Sequence, residues 1–146
     1  MESKFYKIFL KIFWIYTSIL SVIFVSFYYY IKLSLLLGFL IGSQSSSILF
    51  EIRNFFTSKA LQKTKHPART LSFLGFIIGL ALIAAVTIIS IFINHNSNQI
   101  FLLNEKLNKV IYPINLFAFL FGILTTPISI VISVLILRKG VNNGKD

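Results

Sequence analysis

Apolar residues run almost unbroken from Ile12 to Phe50, and Lys32 is the single charged residue among these 39 positions. A continuous helix of that length would reach about 58 Å at 1.5 Å per residue, against about 30 Å for the hydrocarbon core of a bilayer. The run must fold back. Lys32, preceded by Tyr28, Tyr29 and Tyr30, marks the reversal, because tyrosine settles at headgroup depth and lysine extends its ammonium to the same level. The pattern predicts a helical hairpin with spans over 12–29 and 33–50. Two further apolar runs follow, "LSFLGFIIGLALIAAVTIISIFI" over 71–93 and another over 114–137 that stops at Arg138 and Lys139. Strand-like alternation is missing, and hydrocarbon obliges each backbone N–H and C=O to find a partner within the segment, so all four runs are predicted as helices. The expected fold is an all-α membrane protein, four transmembrane helices in two hairpins, forming one domain over 1–146.

The connections carry patterns of their own. The stretch 51–70, "EIRNFFTSKALQKTKHPART", is expected to prolong the second helix until Pro67 discourages it, with Phe55 and Phe56 at the membrane interface and the lysines among the headgroups. Over 94–112, Leu103, Leu107, Val110 and Ile111 share one helical face, while Glu105 and Lys109 form an i,i+4 pair on the other. This predicts a helix lying on the outer surface.

Composition agrees with membrane residence: 56% of the 146 residues are hydrophobic and 12% charged, where a soluble domain carries about 25% charged residues. A net charge of +10 raises the question of nucleic acid. The basic residues, however, gather at the ends of apolar runs, where they face lipid headgroups, so the expected partner is the lipid bilayer and not nucleic acid. Lys and Arg are retained on the cytoplasmic side. Counting across four spans places Lys4, Lys7, Lys11, Arg53, Lys59, Lys63, Lys65, Arg69, Arg138, Lys139 and Lys145 on one side, and Lys32, Lys106 and Lys109 on the other, which accounts for all 14. Both termini and the middle loop are expected in the cytoplasm, the protein being multi-pass in the cell membrane. "MESKFYKIFLK" looks like the start of a secretory signal, but the uncharged run Ile12–Ile31 exceeds a signal core of about 7–15 residues and shows no small-x-small cleavage site. It reads as a retained helix.

Candidate chemistry is sparse. The chain has no cysteine, so disulfides, thiolate metal sites and cysteine nucleophiles are excluded. The four acidic residues, Glu2, Glu51, Glu105 and Asp146, are too scattered to gather the oxygen ligands a divalent cation needs. His66 and His95 fall on opposite faces of the membrane by the topology above, and no P-loop, dinucleotide glycine pattern or nucleophile–histidine–acid set can be assembled. An enzyme is not expected, nor a metal or cofactor. Ionisable residues at mid-membrane mark ion paths and relays, and none stands there. Glu51 and Arg53 are juxtamembrane, explained by a local ion pair or by snorkelling.

What remains is a pattern of small residues. Gly38 and Gly42 lie one turn apart, with Ser45 or Ser46 extending the stripe; Gly75 and Gly79 repeat it, followed by Ala81, Ala84 and Ala85. Apolar side chains gain nothing by leaving lipid for one another, so small residues serve close helix contact. The two stripes are expected to pack against each other or against small faces of a partner. Ser43 to Ser47 either line a polar path or bond their own helix. In the last span Pro127 frees the carbonyl four residues back, with Thr125 and Thr126 placed to help; a kink is the plain reading, a hinge or docking notch at Thr126 and Pro127 the sharper one. Asn115 is expected to bond backbone or headgroup.

In layout, and in the stretches "LLLGFLIGSQSSSILFEIRNFF" and "GILTTPISIVI", the chain resembles subunit I, the small accessory membrane protein encoded with F-type ATP synthases. Gly38 and Gly42 fit that family's small-residue second helix, Arg53 to Phe55 its basic cytoplasmic exit, and Pro127 the proline of its last helix. The resemblance implies a role in assembling the rotor-ring subunits, and for the family an involvement with magnesium. This chain differs in its long outer connection, Asn94 to Tyr112, and in lacking membrane carboxylates, so assembly rather than transport carries over. The expected function is a non-catalytic accessory protein contacting ATP synthase ring subunits. The alternative is a small transporter or channel component acting as a homo-oligomer.

Overall fold

The computed structural model describes residues 2–61, 65–97 and 105–142. Among them every regular element is helical: α1 (Glu2–Ser26), the single turn α2 (Tyr28–Ile31), α3 (Ser34–Leu61), α4 (Lys65–His95), α5 (Glu105–Ile111), α6 (Leu116–Ile123) and α7 (Thr125–Asn142). Four stretches are long and apolar enough to cross a membrane: Lys4–Ser26, Ser34–Leu61, Ala68–His95, and Lys106–Lys139 through α5 to α7.

The helices outrun the apolar windows, and the reason is amphipathicity at their basic ends. α1 starts at Glu2 rather than at 12 because Lys4, Lys7 and Lys11 project outward while Phe9, Phe13 and Thr17, four apart, are buried on the opposite face. α3 continues to Leu61, and α4 begins at Lys65, so the expected connection over 51–70 is mostly helix. Pro67 sits in the first turn of α4, where its missing N–H costs nothing; the side chains of His66 and Pro67, and residues 62–64 with Lys63, lie outside the described residues. The first reversal falls where the tyrosines and Lys32 predict it. α1 ends at Ser26, α2 makes one turn, and Lys32 adopts φ 50° before α3 departs at Ser34. The Lys32 ammonium stands 5.7 Å from the centroid of the Tyr112 ring.

α3 is the hub, packing against α1, α4, α6 and α7. Phe9 meets Phe50 with ring centroids 4.4 Å apart and Phe24 meets Phe39 at 5.0 Å, so α1 and α3 run antiparallel over their length. α4 is also antiparallel to α3, Phe56 meeting Gly75 and Leu49 meeting Gly79. α6 and α7 run parallel to α3, and α1 closes the bundle against α7. Consequently Tyr6, Glu51, Arg53 and Arg138 gather at one end, and Lys32, Asn94 and Tyr112 at the other.

The interior combines four phenylalanines, Phe9, Phe13, Phe39 and Phe119, with small and hydroxyl-bearing residues, whereas the exterior is apolar. Ser34, Gly38, Gly42 and Ser46 on α3 and Thr125, Ser129 and Ser133 on α7, each set spaced by four, are buried. Val22, Phe73, Ile88, Phe92 and Phe121 are each more than 60% exposed. In water so much apolar surface would be unfavourable at about 25 cal/mol per Å². In lipid it costs nothing, and small hydroxyl-bearing residues bring the helices together.

α5 packs on α4 and α6. Its Leu107 is 44% exposed, while Asn108 is buried and Val110 and Ile111 are half-buried. Leu103 and the Glu105 side chain lie outside the described residues.

Candidate functional site

The glycine stripe of α3 does not meet that of α4. A Cβ at Gly38 would strike the carbonyl oxygen of Asn115 and lie 3.0 Å from its carbonyl carbon; one at Gly42 would strike the Phe119 carbonyl and lie 3.1 Å from the Gly122 Cα. A Cβ at Gly122 would in turn strike the Phe39 carbonyl oxygen and lie 2.7 Å from the Ser43 nitrogen and 2.9 Å from the Gly42 Cα. Three glycines thus bring the backbones of α3 and α6 into direct contact, which any side chain would prevent. Gly75 and Gly79 instead receive large side chains from another face of α3: Phe56, whose Cβ stands 2.9 Å from a Cβ placed at Gly75, and the end of Leu49 at Gly79. Face-to-face packing of the two stripes is therefore corrected: each is covered within the chain by a different neighbour. The reason is register, since α3 offers its two sides to two different helices.

One step further along α3, Ser46 donates its hydroxyl to the carbonyl of Ile123 at 2.8 Å. Ile123 is four residues before Pro127, so its carbonyl has no N–H to accept from, and the serine of a neighbouring helix supplies the missing donor. α6 and α7 meet here. The ladder continues around the proline, Leu124 N–H bonding the Leu120 carbonyl at 3.3 Å and Ile128 N–H the Leu124 carbonyl at 3.2 Å. Thr125 bonds the Gly122 carbonyl. Thr126, expected to help, is buried with its hydroxyl unpartnered among the described residues. Ser43 and Ser45 bond their own helix at Leu40 and Ile41, 3.1 and 2.7 Å, so of these three Ser46 alone reaches across. Ser46→Ala is expected to cost about 1–2 kcal/mol by stranding the Ile123 carbonyl. In a Pro127→Ala background, where an N–H returns, the same change should cost measurably less. Equal costs in both backgrounds, measured by unfolding in mixed micelles, would show that the serine does not compensate for the proline.

Beside this junction lies a groove of about 460 Å³ between α3 and the last span, lined by Ser46, Leu49, Phe50, Ile123, Thr126, Pro127 and Ile130, with Arg53, Asn54 and Thr57 toward its basic end. Four residues singled out in the sequence, Ser46, Arg53, Thr126 and Pro127, come together here. Glu51 does not join them. It accepts a hydrogen bond from the Tyr6 hydroxyl of α1, because residues two apart on a helix point away from each other. Of the two alternatives expected for Glu51 and Arg53, a local ion pair or snorkelling, the Tyr6 contact of Glu51 replaces the ion pair.

At the opposite end Asn94, which the sequence did not single out, forms a clamp beside Asn115, which it did. Asn94, 1% exposed, donates from Nδ2 to the Ile114 carbonyl at 2.7 Å and accepts from the Ile114 N–H at 2.9 Å. Asn115 caps α6 through its side chain, accepting from the Ala118 N–H at 3.0 Å, and its own N–H bonds the Ser34 carbonyl at 3.1 Å. This ties the ends of α3, α4 and α6 into one unit. Asn94 directly follows the apolar run over 71–93, and only the chain that folds over it makes it an interior residue.

Among the described residues no three histidine, cysteine, aspartate or glutamate side chains gather where they would hold a metal ion. Compared with known protein families, with curated proteins and with solved structures, the chain matches none.

Proposed function

We propose that this protein is a non-catalytic integral membrane accessory protein that helps assemble a larger membrane complex through helix–helix contact. The observation that carries this reading is the outward face of α4. Both glycine stripes are covered within the chain, yet Ala81, Ala84 and Ala85 are exposed at the middle of α4, the least buried of the four spanning helices. Small residues facing lipid leave room for the close approach of another helix. The resemblance to subunit I makes the ring subunits of an F-type ATP synthase the first partner to test. The eleven basic residues that the sequence count assigns to one side of the spans support a cell-membrane topology with both termini cytoplasmic.

Affinity capture of the tagged chain in mild detergent is expected to recover ring subunits, and Ala81→Leu with Ala85→Leu to abolish recovery while leaving the fold intact. Capture without any ATP synthase subunit, together with unchanged ring assembly in a deletion strain, would defeat the reading. Reporter fusions at residues 60 and 146 should both face the cytoplasm; opposite placement would refute the four-span topology. The buried hydroxyls of Thr17, Thr126 and Ser129, unpartnered among the described residues, favour a second reading, a small oligomeric transporter or channel component. Flux from reconstituted vesicles, lost on Thr126→Val, would support it.

A further inference from the structure

The groove between α3 and the last span is a candidate for an occupant, and its chemistry restricts what that occupant is. Its deep walls are hydrocarbon: Leu49, Phe50, Ile123, Pro127 and Ile130. Its basic end carries Arg53, with Asn54 and Thr57 beside it. Arg53 is exposed, and the carboxylate nearest to it in sequence, Glu51, is engaged by Tyr6 of another helix. A guanidinium presents a planar fork of donors suited to phosphate oxygens. We propose that the groove is a binding site for one anionic phospholipid, its phosphate held at Arg53 and an acyl chain seated along Leu49, Pro127 and Ile130.

Three observations favour this occupant. The first is charge complementarity: the groove opens at the basic end of the bundle, where Lys7, Lys11, Arg138 and Lys139 also lie, and such ends attract anionic headgroups. The second is shape. From Ser46 to Thr57 the groove follows α3 for about 16 Å, elongated as an extended acyl chain is, and its deep walls are hydrocarbon. The third is Thr126. The register that pairs Gly42 with Phe119 and Ser46 with Ile123 places Thr126 abreast of Leu49, about one helical turn deeper than Arg53. Its hydroxyl is buried and unpartnered among the described residues, at the depth where the ester carbonyls of a phospholipid follow its phosphate. The proposal rests on membrane residence and is independent of the assembly reading, so failure to capture ring subunits leaves it standing.

The test is native mass spectrometry of the full-length, delipidated protein titrated with phosphatidylglycerol or with phosphatidylcholine of the same acyl chains. The expected result is one phosphatidylglycerol retained at least tenfold more strongly than phosphatidylcholine. Arg53→Gln should remove that preference. Ile130→Trp, which fills the acyl seat, should weaken binding with Arg53 still present. Arg138→Gln, a basic residue at the same end but outside the groove, should leave it unchanged, and millimolar inorganic phosphate should not displace the lipid. Equal retention of both lipids would overturn the proposal. So would equal losses in Arg53→Gln and Arg138→Gln, which would mean diffuse surface charge, or full retention in Ile130→Trp. Each variant is read beside its far-UV circular dichroism, and the exposure of Arg53 makes Arg53→Gln the substitution that leaves packing untouched.

Discussion

Replacing Gly42 with alanine is expected to destabilise the protein by about 2–3 kcal/mol, one of the largest effects of any single methyl group in the chain. The added carbon meets the carbonyl group of Phe119 rather than a side chain, and a backbone cannot rotate out of the way as a rotamer can. Relief requires α3 and α6 to separate, which loosens the Ser46 bond to Ile123 and opens the inner wall of the groove. Gly38→Ala and Gly122→Ala should behave alike, because each Cβ runs into backbone of the facing helix. Gly79→Ala is the contrast. Its Cβ meets the terminal methyl of Leu49, which is free to change rotamer, so a cost below about 1 kcal/mol is expected. Reversible unfolding in mixed detergent micelles, followed by circular dichroism, ranks the four variants. If Gly42→Ala proved as stable as Gly79→Ala, close contact between the α3 and α6 backbones would not be a source of stability.

Asn94→Ala should produce the second large effect, about 2–5 kcal/mol, since it strands a buried N–H and a buried C=O of Ile114 together, at about 1–3 kcal/mol each. Water is a poor substitute at a site where Asn94 is 1% exposed. Asn94→Asp separates the two bonds. The carboxylate still accepts from the Ile114 N–H but faces the Ile114 carbonyl without a proton to donate. The loss in Asn94→Asp therefore falls on the Ile114 carbonyl, whereas Asn94→Ala strands both groups. Hydrogen exchange at the Ile114 and Asn115 amides reads the same event locally: the amides should lose protection in the alanine variant. Unchanged protection would mean that the clamp contributes little and that α5 alone holds this end closed.

Some features were legible from the chain alone because a local rule decided them. The reversal at Lys32 follows from length, since 39 membrane-compatible residues exceed one crossing. The defect at Pro127 follows from backbone chemistry within one turn, whereas Asn115 was expected only to bond backbone or headgroup, and the structure makes it the cap of α6. The extent of the helices was less legible, because hydropathy stops at charge whereas helix formation does not; Lys4, Lys7 and Lys11 sit on the outer face of a helix whose other face is Phe9, Phe13 and Thr17.

Partner choice was not legible at all. Gly38 and Gly42 declare a need for close approach, but Gly75 and Gly79 make the same declaration in the same spacing, and spacing carries no address. The parallel register of α3 with α6 assigned the first pair to Asn115, Phe119 and Gly122, and left the second to Phe56 and Leu49. The same register brought Ser46 to the carbonyl that Pro127 releases, across 77 residues of sequence. The amino-acid order by itself determined that four apolar helices form and where small or hydroxyl residues relieve their contacts, because those are matters of solvent and of one helical turn. Which helix fills each face, which hydroxyl crosses to a neighbour, and whether Asn94 meets water or backbone were decided only by the tertiary structure, because each depends on residues brought together from distant parts of the chain.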